Sequence, residues 1–349
     1  LNSSHHLPQK QKIKSKKKGD GDQQSELNLR FDIKAGTPSV WSHFITRTLF
    51  EVKHVIKSYS FLVLLILSVA SLIPNLVGSF NWYGTDVWPV TFRMVELIQN
   101  SFGLLIIIVL VYYCGELVWH DRESRMGDIV DSYPVANWVF WGSKYLALVA
   151  VLILLCAFGT VITVLYQLMS GVGNIELSQY VVRLGYLFAF GFALQGTLAF
   201  LFQVISPSKY LGMGLFILYY ITSLVMSNFG FEHNMFRIGS TPSVPYSDIN
   251  GYGHFLTPVH WYNLYWFGLS MILAAVSYAL WPRGAGQTLK ARFSQLNYQL
   301  GLAGKVAIAI GVIMFVGAGS NIYYNTQVVN TFITSDEFED LAEQYERKF

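Results

Sequence analysis

The stretch Glu116–Val149, ELVWHDRESRMGDIVDSYPVANWVFWGSKYLALV, decides how this chain is read. It opens at the end of one long apolar run and closes inside the next. Between the runs lie the charged residues Asp121, Arg122, Glu123, Arg125, Asp128 and Asp131. Met126, Ile129, Val130 and Tyr133 fall at i, i+3, i+4 and i+7, which is one apolar stripe on a helix. Pro134 closes the pattern, because the residue before a proline disfavours helical backbone. The spacing predicts a short amphipathic helix over 120–134 between two membrane-spanning helices.

Helices that rest on lipid usually carry Lys and Arg on the polar face. Here four acids stand against two bases, and anionic headgroups would repel that face. A groove on a protein suits the stripe better.

Composition says which solvent the rest of the chain faces. Of 349 residues, 53% are hydrophobic and 13% charged, against about 25% charged in soluble domains. Mean hydropathy is +0.39. A helix needs about 20 apolar residues to cross the hydrocarbon core. Seven segments qualify: Ser58–Val77, Ser101–Trp119, Tyr145–Met169, Val181–Ile205, Leu211–Met226, Trp261–Trp281 and Val306–Tyr323. The fifth is short and the seventh is glycine-rich. The expected class is an all-α polytopic membrane protein.

Lys and Arg in the short loops set orientation. With the N-terminus in the cytoplasm, the inner loops hold Arg122, Arg125, Lys144, Lys209, Arg283, Lys290, Arg292 and Lys305. The outer loops hold Arg93 and Arg237, with Arg183 at the outer edge of span four. Residues 1–40 then form a cytoplasmic linker with six lysines between Lys10 and Lys18. That run either touches anionic surfaces or is a solvated linker. Residues 41–282 form the transmembrane domain, with the long loop 229–260 outside. Residues 283–304 form a cytoplasmic loop, and 305–324 an additional span. Residues 325–349 begin an outer region. There Thr334 and Glu337 have capping-box spacing, ahead of Phe338, Leu341 and Tyr345 at helical intervals. The chain starts with Leu1 and reads as a piece of something longer.

Several chemistries are not written in the chain. It has no H-E-x-x-H, no G-x-x-x-x-G-K-[ST] and no G-x-S-x-G. No catalytic residue, metal or cofactor is therefore expected on this chain. His254 and His260 are six apart in a loop and lack metal-ligand partners. No basic face with interleaved aromatics continues past the lysine tail, which argues against a nucleic-acid partner. Cys114 and Cys156 fall in apolar runs, as buried free thiols do. Glu116, Arg183 and Lys209 lie near span ends, and no carboxylate or histidine is expected at the bilayer midplane. That argues against an ion-coupled secondary transporter, although sodium sites can use backbone carbonyls. Gly185, Ala189 and Ala193 recur at intervals of four and would admit a close helix neighbour. Gln195 and Gln203 in the same span either line a polar path or satisfy local hydrogen bonds.

The opening stretch resembles permeases of the ABC-2 type. A glutamate ends span two, an arginine-containing helix and DSYPVANW follow, and a lysine opens span three. Glu116, Arg122, Gly127, Pro134 and Lys144 match that pattern. The amphipathic lead-in FEVKHVIKSYSFLVLL, the six spans and an outer re-entrant region before span six are also similar to that family. The resemblance implies a six-helix domain of the type V exporter kind plus a seventh span. It implies that 120–134 is a coupling helix docked on a separate ATP-binding subunit, where ATP and Mg would bind. Glu116, Asp121, Arg122, Arg125, Met126, Asp128, Ile129, Tyr133, Pro134 and Lys144 would make or support that interface.

The lead-in WSHFITRTLFEVKHVIKSYSFLVLLIL and the stretch NIYYNTQVVNTF resemble bacterial fusions of two permease halves with an outer M1-type aminopeptidase. This chain would then be the second permease half, in the bacterial inner membrane. Its partner half would be in the same chain or a second copy. The alternatives are a membrane anchor for an outer peptidase without transport, or a secondary transporter.

Overall fold

The computed structural model describes residues 39–78, 81–82, 85–132, 135–283 and 288–348. Helix α1 (Val40–Ile56) opens the described chain, with the Ser39 side chain accepting from the Ser42 N–H as its cap. Then come α2 (Tyr59–Gly78), α3 (Thr91–Glu123), the short α4 (Gly127–Ser132) and α5 (Asn137–Met169). The next long helix runs as α6 (Leu177–Gln179), a π-helical stretch Tyr180–Ala189, and α7 (Phe190–Ile205). After α8 (Lys209–Val225) a loop with short 3₁₀ turns leads to α9 (Leu256–Ala279), α10 (Leu289–Tyr323) and α11 (Ser335–Lys348). Among the described residues, the only paired strands are the two-residue ladder β1 (Asn81–Trp82) and β2 (Thr85–Asp86).

Six helices are long and apolar enough to cross a membrane: Tyr59–Gly78, Thr91–Glu123, Asn137–Met169, Leu177–Ile205, Lys209–Phe229 and Leu289–Val329. The chain is a helical, multi-pass membrane protein. The expected segment Trp261–Trp281 falls mainly on α9, which is 24 residues long. It carries His260, Tyr262, Asn263, Tyr265 and Trp266 in its first half. Those polar tips lower its hydropathy and separate it from the other six.

Helix α3 is the axis of the bundle. Met94, Ile98, Phe102, Ile106, Leu110, Tyr113 and Leu117 are all buried, at intervals of three or four along one face. They meet Ala147, Leu148, Val151, Leu152 and Leu155 from α5, together with Phe200 and Val204 from α7. In lipid such faces are held by van der Waals fit rather than by escape from water. The two cysteines are buried and free.

A second cluster joins α7, α9 and α10 through Leu194, Leu198, Tyr265, Trp266, Ala318 and Ile322. Helices α9 and α10 touch backbone to backbone at Gly268 and Gly311. A β-carbon on Gly268 would lie 2.7 Å from the Gly311 carbonyl oxygen, and one on Gly311 2.8 Å from that of Gly268. Only glycine permits this approach.

The structure corrects the expected loop 283–304. From Leu289 onward this segment is helical, capped by the Thr288 side chain, which accepts from the Ala291 N–H. Arg292 anchors the first turns by donating to the Val204 and Leu280 carbonyls, at 2.9 Å each. At Gly301 the backbone turns to φ 56°, ψ −168°, so α10 is two helical pieces separated by a kink. That φ is the left-handed region that favours glycine. The Tyr278 hydroxyl donates to the carbonyl of Leu300 at 2.6 Å, beside the kink. The expected span 305–324 occupies the second piece.

The expected re-entrant region falls on the loop 229–260, which carries short 3₁₀ turns at Asn234–Phe236 and Gly253–Phe255. Its middle reaches in among the helix ends. Ile238 is buried: its carbonyl accepts from Gln195 Nε2 at 2.9 Å, and its N–H donates to the Tyr219 hydroxyl at 3.3 Å. Trp266 Nε1 donates to the Ser240 carbonyl at 3.0 Å. In α11 the capping box forms both ways, Glu337 N–H to Thr334 Oγ1 at 3.3 Å and Thr334 N–H to Glu337 Oε2 at 3.1 Å.

Candidate functional site

The chemistry gathers where α3, α4 and α5 meet. The expected helix 120–134 is divided. Asp121, Arg122 and Glu123 continue α3, which ends at Ser124. Arg125 then takes a left-handed conformation, φ 58°. The Met126 N–H donates to the Asp121 carbonyl at 3.0 Å, and the Arg125 N–H to that of Arg122 at 3.0 Å. This is the paired closure of a Schellman motif, in which one left-handed residue stops a helix. The stop was hidden because the motif usually uses glycine and here uses arginine. Only Gly127–Ser132 is separately helical. Tyr133, Pro134 and the side chain of Asp128 lie outside the described residues.

The two apolar residues at this tip point outward: Met126 is 47% and Ile129 63% exposed. Val130 instead turns inward against the core. Beside it lies a depression of about 400 Å³, lined by His43, Arg47, Phe50, Ile129, Val130 and Phe140 among others.

Beneath the tip is an ionic clamp. Lys144 of α5 is fully buried. Its ammonium lies 3.1 Å from Glu51 of α1 and 3.1 Å from Asp121 of α3, and donates to the Leu117 carbonyl at 2.5 Å. Arg47 of α1 completes the set, 2.8 Å from both Glu51 and Asp121. Two cations and two carboxylates therefore tie three helices together. Neutralised and multiply hydrogen-bonded, buried charges of this kind escape the large cost of an isolated ion. Sequence reasoning found Asp121 and Lys144 but missed Arg47 and Glu51. Their signal was an i, i+4 Arg–Glu pair on a helix with an otherwise apolar face.

A second polar group flanks the clamp. Lys209 of α8 lies 2.6 Å from Glu116 and 3.0 Å from Glu123, both on α3. His120 Nδ1 is 3.6 Å from Glu116 Oε1, and the His120 ring lies 4.3 Å from that of His54 on α1. Arg122 turns inward: it donates to the Pro282 carbonyl at 3.2 Å and lies 5.1 Å over Trp119. Arg283 donates to the Val135 carbonyl at 2.7 Å. These two arginines join the chain following α9 to the α3–α5 connection.

The residues expected in span four are dispersed. Gln203 accepts from Trp119 Nε1 at 3.0 Å, at the same end as the clamp. Gln195 holds the Ile238 loop at the other end. Ala193 is buried, and its carbonyl accepts from the Tyr145 hydroxyl at 2.8 Å. Ala189 is buried where the π-helical stretch ends. Gly185 is exposed beside an apolar depression of about 530 Å³ between that stretch and α5, with nothing within 4 Å of an added β-carbon. At the loop end, His260 Nδ1 is 2.6 Å from the Tyr186 hydroxyl.

No family model, curated protein or solved structure matches this chain.

Proposed function

We propose that the chain is the transmembrane part of an ATP-driven exporter of the ABC-2 type. A separate nucleotide-binding subunit binds and hydrolyses ATP with Mg and docks against α4. The supporting observation is the exposed pair Met126, in the turn before α4, and Ile129, on α4, which follow the end of α3 that the ionic clamp holds through Asp121. An apolar tip gives docking area, and flanking charges set register. A push on α4 acts on the ends of α3 and α5, and through Arg47 and Glu51 also on α1. The spans then switch between two packings, as discrete helix bundles do.

In this reading α4 and the N-terminus face the cytoplasm of a bacterial cell, and α11 lies outside. Helix α9 is the sixth crossing, and the second piece of α10 is the added seventh. A second permease half, in the same full-length protein or another copy, completes the pathway. The carboxylates Glu51 and Asp121 are paired with cations at one end of the bundle, which gives no support to an ion-coupled carrier.

One observation favours a second reading, a membrane anchor for an outer enzyme of the M1 peptidase type. Phe338 and Leu341 of α11 are exposed on one helical stripe, a surface suited to a further folded region. The two readings part on ATPase coupling. Reconstituted with its nucleotide-binding subunit, the wild-type chain should stimulate ATP hydrolysis. Arg125→Glu reverses one exposed charge without changing the residue's backbone requirement, and should abolish that stimulation while membrane insertion is kept. Unchanged stimulation would contradict docking at this turn.

A further inference from the structure

We propose that His54, Glu116 and His120 form a binding site for a divalent transition-metal ion of the zinc class. The three side chains come from two helices. Glu116 and His120 are four residues apart on α3 and so share one face. His54 approaches from the last turn of α1. One ligand atom from each residue lies within 4.8 Å of the others.

The donor set selects the ion. Two imidazoles and one carboxylate suit zinc, cobalt or nickel, whereas magnesium and calcium prefer oxygen ligands alone. Zinc holds such ligands at about 2.0–2.2 Å, which places them about 3.4 Å apart around a tetrahedron. Small rotations of the two ring side chains close the remaining distance. Glu116 can serve two partners at once. Its Oε2 is 2.6 Å from Lys209, while Oε1 faces His120. Lys209 therefore orients the carboxylate from behind, as outer partners of metal ligands commonly do.

All three side chains are partly exposed, so the site opens at the protein surface. Three protein ligands leave a fourth position for water. The ion would staple the last turn of α1 to α3, one turn away from the Arg47–Glu51–Asp121–Lys144 clamp. It would thus lock by coordination two of the three helices that the clamp joins by charge. This proposal does not depend on the exporter reading.

The test is a cobalt titration of the full chain in detergent micelles, with His5→Ala and His6→Ala removing the one other adjacent histidine pair. The expected result is saturable binding of one Co²⁺ per chain, with the visible absorption of tetrahedral cobalt, displaced by Zn²⁺. His54→Ala and His120→Ala should each weaken binding at least about tenfold, since loss of outer partners alone costs that much. His260→Ala should leave binding unchanged. Because an alanine variant can lose the ion through misfolding, His120→Cys provides the second readout. It should keep Co²⁺ and add thiolate-to-cobalt charge-transfer absorption. No saturable Co²⁺ binding, or binding that is untouched by both alanine variants and shows no thiolate band in His120→Cys, would overturn the proposal.

Discussion

Lys144 of α5 points its ammonium at Asp121 of α3, 3.1 Å away. The same ammonium is equally close to Glu51. A lysine that reads as the boundary mark of a span is thus the hub of a network joining three helices.

This network should behave as a unit. Lys144→Met removes a cation and leaves Glu51, which is 1% exposed, short of one partner. Loss of one member of a buried pair costs about 3–5 kcal/mol. Lys144→Met combined with Glu51→Gln restores charge balance and should recover most of that loss. Thermal unfolding of the three proteins in the same detergent checks this. Additive losses in the double variant would mean that the two residues are not coupled.

The turn after α3 offers a cleaner test of backbone strain. Arg125 holds a left-handed φ of 58°, which costs an L-residue about 1–2 kcal/mol relative to glycine. Arg125→Gly should therefore stabilise the chain by about 1 kcal/mol. Arg125→Val should destabilise it, because a β-branched side chain tolerates this region least. A fall in melting temperature for Arg125→Gly would mean that the arginine side chain itself holds the turn.

Glycines on one helix should differ sharply. Gly311→Val forces α9 and α10 apart, at a cost of about 1–3 kcal/mol for an overfilled contact. Gly317→Val should be tolerated, since nothing lies within 4 Å of its added β-carbon. Cysteine cross-linking between α9 and α10 reads the separation directly. Equal cross-linking in both variants would contradict the backbone contact.

Much of this was legible in the sequence. Long apolar runs placed the six helices that are long and apolar enough to cross a membrane, because in hydrocarbon every backbone group must be satisfied within its own segment. The Thr334–Glu337 cap was also legible, because it is a local pattern with a local partner. The failures have one cause. Arg47 and Glu51 carry no mark of their role in the sequence beyond their i, i+4 spacing, and Arg292 reads as a loop charge; the burial of Glu51 and Arg292 depends on helices far apart in the chain. Likewise, nothing local distinguishes Arg125 as the residue that ends α3. Gln203 and Trp119 find each other across 84 positions, a contact that periodicity does not contain.

The loop end should respond to pH. Burial holds the His233 imidazole below its ordinary value of 6.5. Its Nδ1 accepts from the Met235 N–H at 3.3 Å, and its Nε2 lies 3.2 Å from the Tyr262 hydroxyl. The ring is therefore neutral with its proton on Nε2. Protonation at Nδ1 removes the acceptor for Met235. The folded pKa is lowered, so the unfolded loop binds more protons in this range and stability falls as pH drops below about 6.5. Limited proteolysis of the segment 233–240 should accelerate as the pH falls below about 6.5, the ordinary imidazole value that the unfolded loop keeps. His233→Gln keeps an acceptor and a donor without titrating, and should flatten the response. An unchanged pH dependence in that variant would assign the effect elsewhere.

The central claim is that α4 docks on a nucleotide-binding subunit. It is tested most directly by purifying the tagged chain from its native host and identifying the co-purifying proteins by mass spectrometry. The account expects an ATP-binding subunit of the ABC class with the wild-type chain. It expects that subunit to be lost with Ile129→Asp, which places a charge at the exposed apolar tip while leaving the clamp intact. A monodisperse chain with no such subunit, or one that retains it fully in Ile129→Asp, would contradict the claim.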